Sequence, residues 1–268
     1  MVYQTEYISS FNIDKELKIY LKPAGIVLKE VVVLKDKFTR RQKLQLFREQ
    51  FPGLTTSGKS SKIKNEEDIS FKYDKTNYTL KAYSDRPLII LNPFLGYKIE
   101  YDLVSFEVKF SRYKVDSNYV VTSYYKGFSF VEEIGNSKEI VLAREKAFRG
   151  SEINFFRNLK NNVLGKDKFL LMANNNRIAV EIFFKIDEDR GSAKIEVISQ
   201  QNNPKNLEEI ASLDVVYNKN EYSNITFETK DFNIYKYENY SNIKNIVLTG
   251  KFAENRMGDM LPLNYNME

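Results

Sequence analysis

The sequence predicts a mainly β protein of the α+β class, with antiparallel sheets and two helical elements packed on them. Three observations carry this. Short runs rich in Val, Ile, Tyr and Phe alternate apolar with polar residues, and Asn, Asp, Gly and Pro turns separate them. Aromatic residues are abundant, 18 Tyr and 19 Phe without a Trp, a usage suited to half-buried pleated surfaces. Helical periodicity rises above this background in only two regions, near 36–51 and 137–164.

Residues 1–33 read as strands. Leu17 to Lys22 alternates with period two, Pro23-Ala24-Gly25 turns, and Val27 to Val33 follows. Such a small set of strands buries no core unaided, so the segment belongs with something larger. The main domain is expected over 34–268. Its first helix takes Asp36 as cap, carries Leu44, Phe47 and Phe51 on one face, and stops at Pro52-Gly53. A meander follows: Ile69 to Tyr73, Tyr78 to Tyr83, Leu88 to Leu91 and Tyr97 to Phe110, with Pro87 and Pro93 at strand edges. Over 137–164, Ser137 caps a stripe of Ile140, Ala143, Ala147 and Phe148. Gly150-Ser151 interrupts it, Ile153, Phe156, Leu159 and Val163 continue it, and Gly165 ends it, giving one kinked helix or two short ones. Ile178 to Ile186 and Ala193 to Ser199 flank a turn at Asp187 to Gly191. Leu213 to Tyr217, Ile225 to Glu228, Phe232 to Tyr237 and Ile246 to Thr249 are further short strands.

The chain of 268 residues contains no histidine and no cysteine. That removes the proton shuttle of neutral pH, the thiolate nucleophile and the soft metal ligands. Carboxylates, lysines, hydroxyls and tyrosines remain for chemistry. The net charge of +5 is concentrated early, since residues 1–63 hold 12 Lys/Arg against 6 Asp/Glu while 64–268 hold 29 against 30. The densest run, Lys35 to Arg48, reads as a solvated helix face; a phosphate or nucleic-acid patch is the sharper alternative.

Gly53-Leu54-Thr55-Thr56-Ser57-Gly58-Lys59-Ser60 matches the phosphate-loop pattern letter for letter. Phosphate binding also needs a parallel strand before the loop and a helix N-terminus after it. Neither flank fits, so Gly53, Gly58, Lys59 and Ser60 are rejected as a nucleotide site and read as a polar connector. Asp187-Glu188-Asp189 fails as a calcium loop, whose closing carboxylate would fall on Ile198. Glu132-Glu133 and Glu208-Glu209 serve glycoside chemistry only across a cleft, and read as solvated surface.

Four blocks in succession carry a family resemblance. They are Asp85 to Ile90 with Leu95 to Tyr101, Arg144 to Ser151, Phe155 to Leu159, and Gly258 to Tyr265. Their order and spacing resemble the carboxypeptidase-regulatory-like domain-containing proteins of Bacteroidota, in the region after the regulatory-like β-sandwich. The resemblance implies that Tyr3 to Val33 is the tail of that sandwich and that any export signal lies upstream of this sequence. It also implies a periplasmic or outer-membrane-associated setting, and a Gly/Lys-rich connector before Ile63-Lys64-Asn65 that carries no consistent G-K-S. This chain departs from the pattern at Asn154, where relatives often have histidine, and at Glu254-Asn255-Arg256, where they often have W-E-R. Arg149, Arg157 and Arg256 remain, as arginines tying helix to sheet loops or as anion or carboxylate contacts.

The expected function is a non-catalytic cell-envelope binding or scaffold module, one form of which is an accessory subunit of an outer-membrane assembly or secretion complex. Affinity then comes from sheet edges and exposed aromatics. A glycan- or peptidoglycan-binding module is the alternative, and a P-loop nucleotide hydrolase the outside one. The expected partner is an envelope protein, or else a glycan. No nucleic acid, cofactor or metal is expected, and no run of apolar residues is long enough for a membrane helix.

Overall fold

A computed structural model describes residues 36–166, 168–173, 176–198, 211–237 and 239–267. The strands expected over 1–33 lie outside the described residues. The chain divides into Met1–Lys37 and a compact unit, Phe38–Glu268, to which the helices and sheets of the described residues belong.

Helix α1 (Arg40–Gln50) begins at Thr39, not at Asp36 as the sequence suggested. Thr39 Oγ1 accepts from the Gln42 amide at 3.3 Å, and Gln42 Oε1 accepts from the Thr39 amide at 2.9 Å. This reciprocal capping box satisfies two otherwise orphaned donors, which Asp36 is too far upstream to do. Leu46, Phe47 and Phe51 are buried on one face. The chain then turns through Gly53, at φ +97°, into the short helix α2 (Thr56–Ser60).

The first sheet contains β1 (Lys62–Ile63), β2 (Ile69–Asp74), β3 (Thr79–Ser84), β4 (Leu88–Asn92), β5 (Tyr97–Phe110) and β6 (Val120–Glu133). Every pairing in it is antiparallel. Strand β5 organises the sheet, because one edge holds β4 along Tyr97–Tyr101 and then β3 along 107–109, while the other holds β6 along its length. The inward residues of β5, among them Ile99, Tyr101, Phe106 and Val108, share one core with Phe47 of α1 and its C-cap Phe51, where Phe106 meets Phe47 and Tyr101 meets Phe51.

Residues 137–164 form two helices, α3 (Lys138–Phe148) and α4 (Glu152–Lys160), each with a serine cap, Ser137 and Ser151. Gly150 separates them at φ +72°, where a Cβ would stand 2.5 Å from the Tyr217 ring. Both the turn and the ring require glycine there. Asn161 caps α4, and Asn162, at φ +53°, turns the chain out of it. Gly165, expected to end the helix, lies beyond in a separate 3-10 turn.

The remaining strands build a second core from two sheets. One contains β7 (Phe169–Ala173), β8 (Asn176–Ile178), β11 (Ala211–Tyr217), β12 (Glu221–Phe227) and β14 (Ile246–Gly250), in the order β14-β12-β11-β7-β8. The other contains β9 (Phe184–Asp189), β10 (Ser192–Val197) and β13 (Asp231–Ile234), in the order β13-β10-β9. Phe155, Phe156 and Leu159 of α4 fill the space they share. Two further helical turns are α5 (Val180–Phe183) and α6 (Lys251–Glu254). The expected strand from Ile178 is thus corrected, since α5 interrupts it and β9 starts only at Phe184. The hairpin turn also shrinks to Arg190-Gly191, both at positive φ, with Asp187 to Asp189 paired on β9. That is the two-residue geometry whose twist matches the flanking strands.

After α6 the chain returns to the first core, where Met257 and Leu261 are buried. Among the described residues no helix is long and apolar enough to cross a membrane, and no cluster of acidic side chains could hold a metal ion.

Candidate binding surface

Strand β6 is the most exposed long element of the sheet. It is 14 residues long, pairs with β5 on one side, and has no strand paired on its other side among the described residues. Its inner face sends Tyr125 and Val131 toward the first core. Its outer face carries Phe130, 67% exposed, and Phe128, and Val121 and Ile134 add exposed apolar surface near its ends. Lys244 lies 5.3 Å from the centre of the Tyr124 ring, so the second core reaches the middle of the strand. Ser123 Oγ and Tyr124 Oη are buried with no hydrogen-bond partner among the described residues, a state that costs free energy unless something else supplies the bond. Proteins usually protect such edges by keeping them short or by adding Pro and charge. Here the length and aromatic content leave an edge suited to another strand.

The phosphate-loop letters occupy a structural crossing. The Gly58 amide donates to Thr55 Oγ1 at 2.9 Å and the Lys59 amide to Thr55 O at 2.9 Å, so these donors are used inside the turn. Ser60 Oγ donates to Ser57 O at 2.8 Å. Gly58 packs against the backbone of Pro52 and Gly53, and Ser57 Oγ and Asn92 Nδ2 both donate to Gly258 O, at 2.5 and 2.7 Å. Gly53 lies against the Arg256 stem. The strand following α2 is the antiparallel β1.

The three arginines enter three separate arrangements. Arg149 is exposed and pairs with Glu145 one turn earlier on α3. Arg157 donates to Tyr265 O at 2.7 Å and Leu263 O at 3.2 Å, and stacks 5.0 Å from the Phe148 ring centre, which fastens the C-terminal stretch to α4. Arg256 is half-buried beside Tyr125, where burial lowers its pKa.

Between the two cores lies a polar seam that the sequence did not reveal, formed by Tyr125, Glu152, Tyr240, Arg256 and Asp259. Its members come from β6, α4, Tyr240 and the turn holding Arg256 and Asp259, so no local spacing marks it. The Tyr240 hydroxyl donates to Glu152 Oε1. Thr55 Oγ1 bonds both Asp259 oxygens, at 2.9 and 2.8 Å. Burial raises the Tyr125 hydroxyl, which Arg256 pulls back and Glu152 and Asp259 push further up. Burial also raises the Glu152 carboxyl, with the Tyr240 hydrogen bond opposing, and raises Asp259 against its bond from Thr55.

A carboxyl raised on folding binds its proton more tightly folded than unfolded. Its contribution is therefore most favourable at low pH and declines as pH rises from the ordinary carboxylate range through the folded value. Glu152→Gln keeps an acceptor for Tyr240 and removes the buried charge. The variant is expected to melt higher than the parent at neutral pH and to lose part of the decline in stability above the carboxylate range. Thermal melts across acid to neutral pH check this, and an unchanged profile refutes it.

No family model, curated protein or solved structure matches this chain.

Proposed function

We propose that the chain is a non-catalytic protein-binding module that accepts a strand-like segment of a partner on the open edge of β6. The supporting observation is that edge: 14 residues, unpaired on one side among the described residues, with Phe130 beside it two-thirds exposed. A partner strand gains main-chain hydrogen bonds from the edge and side-chain contacts from Phe130 and Val121. The cell-envelope setting, and with it a role in an outer-membrane assembly or secretion complex, rests on the resemblance of the four sequence blocks.

The test is site-specific photo-crosslinking of the full-length protein in its native envelope, with the probe at position 130, at 121, or at Lys219 on the far β11–β12 turn. Discrete adducts are expected from 130 and 121 and none from 219. Phe130→Asp should remove the adduct seen with the probe at 121. Absence of adducts along β6, or equal labelling at 219, would count against the proposal.

A further inference from the structure

The opposite edge of the first sheet carries a second surface with different chemistry. A groove of about 580 Å³ runs along β1 beneath α1 and α2, and its walls include Arg48, Lys59, Lys62, Lys64, Glu49 and Glu66. The two acids are already engaged. Glu66 is held by both arms of Arg48, at 2.7 and 2.5 Å, and Glu49 accepts from Gln45 at 2.9 Å and from Ser117. Lys59, Lys62 and Lys64 are exposed and make no ion pair or side-chain hydrogen bond among the described residues. With Glu66 matched by Arg48, three ammonium groups against the one remaining carboxylate of Glu49 leave the groove net positive, a place for negative charge.

The backbone points to the form that charge takes. The Lys64 amide donates to Ile89 O at 2.8 Å, across to β4. Strand alternation then turns the amide and carbonyl of Ile63, which also lines the groove, away from β4. The groove thus offers one main-chain donor and acceptor between two lysines that succeed each other along the strand. Leu54, 54% exposed, adds an apolar contact. A polyphosphate would need a nest of free amides, but those of Gly58 and Lys59 are spent within α2. A nucleic acid would need rings to stack its bases, and no aromatic side chain lines the groove.

We infer that this groove binds an extended acidic peptide segment, its backbone against Ile63 and its carboxylates on Lys59, Lys62 and Lys64. The surface is separate from β6, so each proposal stands or falls alone. The probe is a dye-labelled, end-blocked peptide of alternating Glu and Val, with the Lys-Val peptide as comparator and inorganic tripolyphosphate as competitor, read by fluorescence anisotropy. The Glu-Val peptide is expected to bind, to weaken as salt rises, and to lose about tenfold or more in affinity in the combined variant Lys59→Glu, Lys62→Glu, Lys64→Glu. Phe130→Asp should leave this binding unchanged. The three lysines are exposed, so the combined variant should fold, which its urea midpoint verifies. Equal binding of the two peptides, or no effect of the lysine variant, overturns the inference. So does displacement by tripolyphosphate at equal charge concentration, which would reveal a general polyanion surface.

Discussion

Arg144→Ala is expected to cost about 3–5 kcal/mol of folding stability, among the largest effects of any single substitution in the first core. Arg144 projects from α3 with 5% of its surface exposed. Its Nε donates to Leu95 O at 2.7 Å, Nη2 to Gly96 O at 3.2 Å and Gly135 O at 2.7 Å, and Nη1 to Glu133 at 2.6 Å. The guanidinium also sits 4.1 Å from the centre of the Tyr97 ring. One planar fork thereby fastens the β4–β5 turn, the end of β6 and the linker into α3. Truncation strands backbone carbonyls in a space closed to water, and these cannot be replaced by apolar groups as a side-chain partner can. Arg144→Met, which restores the packed stem, is therefore expected to recover little, and Arg144→Lys only part, because an ammonium cannot reproduce the fork. Urea unfolding with unchanged slope and a lowered midpoint is the readout. A Met variant as stable as the parent would show that the stem, not the hydrogen bonds, carries the effect.

Arg144 also shows which parts of this fold are legible in the sequence. It lay within a recognisable block, yet nothing local set it apart from Arg149, five residues on, which is exposed and makes a surface ion pair. The difference arises from what the helix meets. Strand β5 was legible to its ends, Tyr97 and Phe110, because its inward and outward residues alternate over a buried face. Strand β6, paired to it throughout, was not. Tyr125 and Val131 face inward while Phe128 and Phe130 lie on the other side, so apolar residues on both faces cancel the period-two contrast. The very feature that makes β6 a candidate surface hides it from pattern reading. The helix start misplaced at Asp36 reflects a cap defined by Thr39 and Gln42 together. The polar seam escaped because its members are spread from β6 to the last residues and meet only through the return of the chain to the first core.

Gly258→Ala is expected to destabilise by about 3 kcal/mol or more, or about 6–12 °C in Tm. Its backbone does not demand glycine, since φ is not in the left-handed region; its surroundings do. A Cβ at 258 would lie 2.5 Å from Gly58 Cα and 2.6 Å from Pro52 O, both main-chain atoms with no side-chain freedom to yield. The strain falls on bonds that close the first core: Gly258 N to Pro52 O at 3.0 Å, Met257 N to Phe51 O at 3.1 Å, and the Gly258 carbonyl shared by Ser57 and Asn92. Two controls separate the causes. Gly165→Ala meets nothing within 4 Å and has no left-handed φ, so it should be neutral or slightly stabilising. Gly191→Ala also meets nothing but sits at φ +82°, so it should cost about 1 kcal/mol from backbone strain alone. Gly58→Ala meets Pro52 O and Gly53 O at 2.6 Å and should resemble Gly258→Ala. Because both substitutions press on the Pro52 carbonyl, the double variant should cost less than the sum of the singles, as sites that share one distortion do. Strict additivity, or a Gly258→Ala midpoint no lower than that of Gly165→Ala, would mean that the crossing is loosely packed and that its glycines answer to something other than close approach.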